Sequence, residues 1–229
     1  MKHSFRLPAL ATLLLTSLAL IAAPAALAEV EKKAKTKKAT GTYSTSTGKS
    51  GTIDTTVTRE KGKATRETSV TNQDGQTATT DAEHTWDKDS GTGTTNRTTT
   101  GPNGKTATTT SASKKNADGT VTTDGSRTGF NGKTSTFEST ATKTENGRTS
   151  TGTITGPDGK TATTTGSVTH DNGTTTKTQT VTGPNGKTAE RVVASKKNDD
   201  GTVTRTIEAT GPDGKTTTRT ETIKVEATP

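Results

Sequence analysis

The sequence has no cysteine, and beyond Ala28 it has no leucine. Without cysteine there are no disulfides to staple a small exported fold, and no thiol to carry a lipid anchor. Aromatic residues make up 2% of the chain; past Ala28 they are Tyr43, Trp86, Phe130 and Phe137 alone. Hydrophobic residues are 22% of the 229, and many of them lie before Glu29. The remainder has too little apolar side chain for a conventional enzyme core to offset the entropy of ordering it.

Catalytic parts are equally scarce. Beyond His3 the histidines are His84 and His170, each among polar neighbours, and there is no Gly-x-Ser-x-Gly. Nucleophilic catalysis has no visible components, so the sequence reads as a non-enzyme without a cofactor. Asp87-Lys88-Asp89-Ser90-Gly91 resembles half a calcium loop, but Ser90 breaks the ligand pattern and an acidic turn is the better reading. Lone Trp86 is expected to pack on a neighbouring strand. Basic residues are not interleaved with stacking aromatics, which argues against a specific nucleic-acid site.

What is present begins with an export signal. Lys2 and Arg6 precede an apolar run from Ala9 to Ile21, and Ala26-Leu27-Ala28 supplies an A-x-A cleavage site. Residues 1–28 are read as a signal peptide, too short in its apolar part to anchor, and nothing later could cross a membrane as a helix. Residues 29–40 follow as a basic flexible tail. In it Lys32, Lys33, Lys35, Lys37 and Lys38 form a candidate site for polyanions, such as an acidic polysaccharide or the cell-envelope surface.

Residues 41–229 are a repeat. Gly101-Pro102-Asn103-Gly104-Lys105-Thr106 recurs around Gly159, Gly186 and Gly214, and as a variant with Phe130 around Gly132. Gly48 and Gly75 are degenerate earlier copies. A second series, Gly62, Gly91, Gly119, Gly147, Gly173 and Gly201, runs between them, and both share a period of about 28 residues. Gly-Lys-Thr here is not a phosphate loop, because two residues rather than four separate the glycines. Asn-Gly and Asp-Gly are hairpin signals that point to type I′ turns. Thr-rich runs lie between them, such as Thr202–Ala209, where Val203, Ile207 and Ala209 alternate with Thr204, Thr206 and Glu208.

This predicts an all-β fold of about 14 short antiparallel strands arranged as a β-meander. A β-solenoid with one coil per period, or a largely disordered chain, are the alternatives. An outer-membrane barrel is disfavoured, since it needs an apolar lipid-facing band and aromatic girdles. The function expected on this reading is structural or adhesive: an exported protein in the periplasm, on the cell surface or in a matrix. A Thr-array module for glycans or ice, or a flexible Thr-rich spacer, are the alternatives.

Overall fold

The computed structural model describes residues 34–225. Residues 1–28, read from sequence as a signal peptide, and Lys32 and Lys33 lie outside them. The described residues form fourteen strands. They are β1 Lys35–Thr45, β2 Ser50–Glu60, β3 Lys63–Asn72, β4 Thr77–Asp87, β5 Thr92–Thr100, β6 Thr106–Lys115 and β7 Val121–Thr128. They continue as β8 Thr134–Thr144, β9 Gly147–Thr155, β10 Thr161–Asp171, β11 Thr174–Thr182, β12 Thr188–Lys197, β13 Thr202–Thr210 and β14 Thr216–Val225. Each pairs antiparallel with its sequence neighbours, as the turn spacing predicts.

The sheet is not open, however. β1 pairs with β14, from Ala39 opposite Val225 to Thr45 opposite Arg219, and closes a barrel. That corrects both the open meander and the solenoid. The reason is strand number: a twisted sheet of this width has two long unpaired edges, and closure removes both. Following the register once round the wall returns to β1 about 16 residues from the start, the stagger that closure requires. With strands about 4.8 Å apart and tilted by about 40°, the backbone cylinder is roughly 27 Å across. The boundary drawn at residue 40 falls inside β1, so Lys35, Lys37 and Lys38 belong to a strand.

The turns are at the expected glycines but differ in type. Gly101 N–H donates to Lys105 O at 2.8 Å and Gly104 N–H to Gly101 O at 2.9 Å, with Gly104 at φ 75°. This is a type I turn followed by a left-handed glycine. Pro102 fixes its own φ near −65° and so forbids a type I′ turn, which needs positive φ there. Asn172 (φ 45°) and Gly173 (φ 74°) form the one Asn-Gly pair with both residues positive among the described residues.

Alternation sorts the side chains into two faces. The inward face takes nearly all the apolar residues: Ile53, Ala107, Val181, Ala189 and Val193 are buried. The inward face also holds three aromatics, each lying across a glycine of the paired strand. Tyr43 lies on Gly51, Trp86 on Gly93 and Phe137 on Gly125. A glycine opposite a large ring leaves a gap that the ring fills. The outward face is dominated by threonine; its apolar members on the strands are Ala112, Val192 and Ala194. Many outward hydroxyls satisfy one another across strands, as in Thr71–Thr77 at 2.9 Å, Thr85–Thr94 at 2.7 Å and Thr110–Ser126 at 3.2 Å.

Candidate functional site: the barrel lumen

Strand parity also sorts charge. Every arginine past Arg6 points inward: Arg59, Arg66, Arg97, Arg127, Arg148, Arg191, Arg205 and Arg219. Lys35, Lys37, Lys115, Lys143, Lys177 and Lys197 occupy inward positions too. Against them stands one inward strand carboxylate among the described residues, Glu221. The other strand acids, among them Asp54, Glu67, Asp81, Glu138, Glu190 and Glu208, face outward.

The inward cations reach towards one another across the lumen. Lys177 on β11 is within electrostatic range of Arg66 on β3, on the far side of the barrel, and of Arg148, Arg191 and Arg205. Such cations raise the local concentration of anions, the more so within low-dielectric walls. Glu221 forms its ion pairs with Arg205 and Arg219, and its charge also reaches Arg66 and Arg191. It is 2% exposed, pairs with Arg205 directly across the ladder and forms an ion pair with Arg219, whose Nε lies 2.9 Å from its Oε1.

The two mouths differ. At the mouth formed by the Pro-Asn-Gly turns, Lys49, Lys105, Lys133, Lys160, Lys187 and Lys215 each follow the turn glycine. Gly104, Gly132, Gly159, Gly186 and Gly214 all stand on this rim with φ between 74° and 78°. The opposite mouth carries acids, including Asp89, Asp118, Glu145, Asp199 and Asp200. Asp118 and Asp200 are held below the ordinary carboxylate range, first by the hydroxyls of Thr120 and Thr202 and then by the N–H groups of the same residues.

The residues singled out from sequence are scattered by this geometry. Of the lysine cluster, Lys35 and Lys37 face the lumen near the acidic mouth and Lys38 faces out. His84 and His170 both point inward, each with Nδ1 on a threonine hydroxyl, Thr95 at 3.0 Å and Thr175 at 2.9 Å. Asp87 accepts from the N–H groups of Asp89 (2.9 Å) and Ser90 (3.3 Å), which makes that segment a turn. Trp86 packs on the neighbouring strand as expected. The arginines were missed. Their signal was nonetheless present: each shares parity with aliphatic or small residues, as in Val57-Thr58-Arg59, Ala64-Thr65-Arg66 and Arg205-Thr206-Ile207.

No family model and no curated protein matches this chain. Among solved structures it is similar to three engineered variants of the Rh. blastica porin, with TM-scores of 0.52, 0.52 and 0.51. Each is 9% identical, and the match covers 85% of this chain and 100% of the porin chain. That likeness is one of fold, and it overturns two expectations. A structural or adhesive role, a Thr-array module and a spacer all presuppose an open or flexible chain, whereas the closed wall withdraws one face into a lumen and curves the other. The expectation of no membrane-crossing segment weighed helices and judged barrels by composition. Among the described residues no helix is long and apolar enough to cross, but that says nothing of strands, and the chain folds as a closed barrel similar to that of the porin.

Proposed function

We propose that the protein is a non-enzymatic, channel-forming barrel of the outer membrane whose lumen favours anions. The placement of every described arginine on the inward face carries this reading. A cylinder about 27 Å across leaves a water-filled passage after side chains project from both walls. Fixed guanidinium groups along that passage repel cations and concentrate anions. The export signal delivers the chain to the envelope, and closure satisfies every strand's backbone, as a spanning element requires.

The outer wall is where this barrel departs from lipid-facing ones. It has threonine instead of an apolar band, and no aromatic girdle. Paired hydroxyls reduce the polarity that threonine presents, whereas outward carboxylates such as Glu138 and Glu190 do not. Insertion is therefore the property to measure. The mature chain, refolded with lipid vesicles and moved to a planar bilayer, should give stepwise currents. Under a potassium chloride gradient their reversal potential should have the sign of chloride selectivity. A protein that stays in the aqueous phase and carries no current would sink the channel reading.

A further inference from the structure

The lysine-rimmed mouth is uneven. Phe130 takes the place that Pro102, Pro157, Pro184 and Pro212 hold in four other turns of this rim. Proline presets φ for such a turn, so the exchange gives up rigidity there. Tyr43, Trp86 and Phe137 each cover a glycine of the paired strand. Phe130 instead reaches from one turn to the next, its Cε1 3.7 Å from the point where a Cβ on Gly101 would stand. A cleft of about 710 Å³ opens beside it, a size that suits a small ligand. It runs along three successive turns, from Gln76 past Asn103 and Lys105 to Phe130 and Asn131. Ala78 and Thr99 also line it, and both take inward strand positions, so the cleft lies on the lumen side of the mouth.

The hydrogen bonds of the turns fix which way the amides point. Asn103 Oδ1 accepts from Lys105 N–H at 3.2 Å, and Asn131 Oδ1 from Lys133 N–H at 3.1 Å. Asn72 Oδ1 accepts from the N–H groups of Asp74 and Gln76 at 3.0 and 2.9 Å, so its Nδ2 donates to Gln76 Oε1 at 3.0 Å. With these oxygens engaged by the protein, Gln76, Asn103 and Asn131 have their NH2 groups left for a ligand. Lys105 adds an ammonium. In the turns that carry aspartate the lysine pairs with it, Lys160 with Asp158 at 3.5 Å and Lys215 with Asp213 at 3.7 Å. Asn103 and Asn131 stand at those aspartate positions, so Lys105 and Lys133 have no carboxylate in their own turns. Among the described residues no carboxylate lines the cleft; Asp74 of the flanking turn lies off it. The result is a row of donors beside one aromatic ring. A ligand for it brings negative charge, acceptors spread along its length and an apolar face. One carboxylate on a flat aromatic ring would use only part of the row. A carboxylated sugar uses all of it: its carboxylate and hydroxyls accept, and its C–H face lies on Phe130.

We infer that this cleft binds a uronate segment of an acidic oligosaccharide at the mouth of the barrel. The site goes beyond the channel reading and needs only the folded barrel. The refolded mature protein would be titrated by calorimetry with trigalacturonate, with neutral galactotriose and benzoate as comparators. Trigalacturonate should bind at least about tenfold more tightly than either, and more weakly as salt rises. Phe130→Pro copies the four other turns and so keeps the fold; it should weaken trigalacturonate binding about tenfold, while Phe130→Trp preserves it. Asn103→Asp gives Lys105 the partner that Lys160 and Lys215 have, and should also weaken binding about tenfold. Asn185→Asp makes the same change two turns beyond the cleft and should leave the affinity unchanged. Circular dichroism confirms the fold of each variant, and two independent substitutions keep a single misfolded one from deciding the matter. Equal binding of galactotriose, tighter binding of benzoate, or indifference of folded Phe130→Pro or Asn103→Asp overturns the inference. A loss in Asn185→Asp equal to that in Asn103→Asp overturns it too, by tracing the binding to the charge of the whole rim. Currents without trigalacturonate binding overturn it alone; binding without currents overturns the channel reading alone.

Discussion

The guanidinium of Arg219 lies 3.9 Å from the centre of the Tyr43 ring, joining the last strand to the first. Arg219 also reaches Glu221, and Glu221 holds Arg205. One chain of contacts thus runs across β1, β14 and β13, at the only pairing in the barrel between strands distant in sequence. Every other pair is brought together by a short turn. This seam must instead be closed after the whole chain is laid out, and the contacts across it oppose the entropy of that long loop.

Glu221→Gln should therefore weaken the seam more than most substitutions. It leaves two guanidinium groups in the wall without their carboxylate. Breaking a buried pair costs about 3–5 kcal/mol; partial exposure of Arg205 and Arg219 reduces the expected loss to about 2–3 kcal/mol. Urea unfolding should show a lower midpoint, and hydrogen exchange should quicken first in β1 and β14. A midpoint equal to that of the parent chain would show that the seam is held by its backbone ladder alone.

Gly93→Val should be damaging for a different reason. A Cβ on Gly93 would stand 2.6 Å from Trp86 Cε3 and 2.7 Å from Thr85 O. The ring must leave its seat and the strand must shift, at about 1–3 kcal/mol. Trp86 is the only tryptophan, so its fluorescence reports the displacement directly. Removing the ring as well should relieve part of the clash. In a double-mutant cycle the coupling between Gly93→Val and Trp86→Ala should reach at least about 0.5 kcal/mol; additive effects would mean that ring and glycine do not share the space.

Strand number, turn positions and the facing of Val203, Ile207 and Ala209 were legible because hairpins are local: a glycine at positive φ and an alternating run specify each one. Closure was not legible. It depends on how twist and stagger accumulate over fourteen strands, and no single segment records that sum. Composition argues against a barrel, because a lipid-facing wall calls for apolar residues that point outward. In this chain Ile53, Val181 and Ile223 face in, together with the arginines. The lumen was illegible for the same reason. Arg66 and Arg97 are 31 positions apart in sequence yet two strands apart on the wall, and only closure places Lys177 opposite Arg66.

Segregation of charge between the faces should be visible in chromatography. The sequence has a formal charge of +8 and a pI of about 9.6, but folding turns many of the cations inward and leaves most strand acids outside. Exposed charges more than about 10 Å from a resin surface are largely screened at 0.1 M salt. The folded mature protein should therefore leave a cation-exchange resin at lower salt than the same chain held unfolded in urea. Elution of the folded form at equal or higher salt would show that the lumen cations are accessible from outside, against the inward placement of the arginines.

Acid should loosen the barrel from its acidic mouth. Asp118 Oδ1 accepts from Thr120 Oγ1 at 2.7 Å and from Thr120 N at 2.9 Å; Asp200 does the same with Thr202 at 2.6 and 2.9 Å. These bonds favour the ionised carboxylate and depress both pKa values in the folded state. A carboxyl depressed on folding contributes stability above its unfolded value, about 3.9, and loses it as pH falls through the lower folded value. The melting temperature should accordingly be insensitive to these two groups between pH 7 and 5, and their share should disappear below about pH 4. Both turns are exposed, so the effect is modest and local. Asp118→Asn with Asp200→Asn keeps an oxygen for the threonine donors but removes the charge that strengthens the bonds. That double variant should melt slightly lower than the parent at pH 7, and the gap should close as pH falls through the depressed folded pKa values. A gap that persists at low pH would trace its origin to turn geometry instead of ionisation.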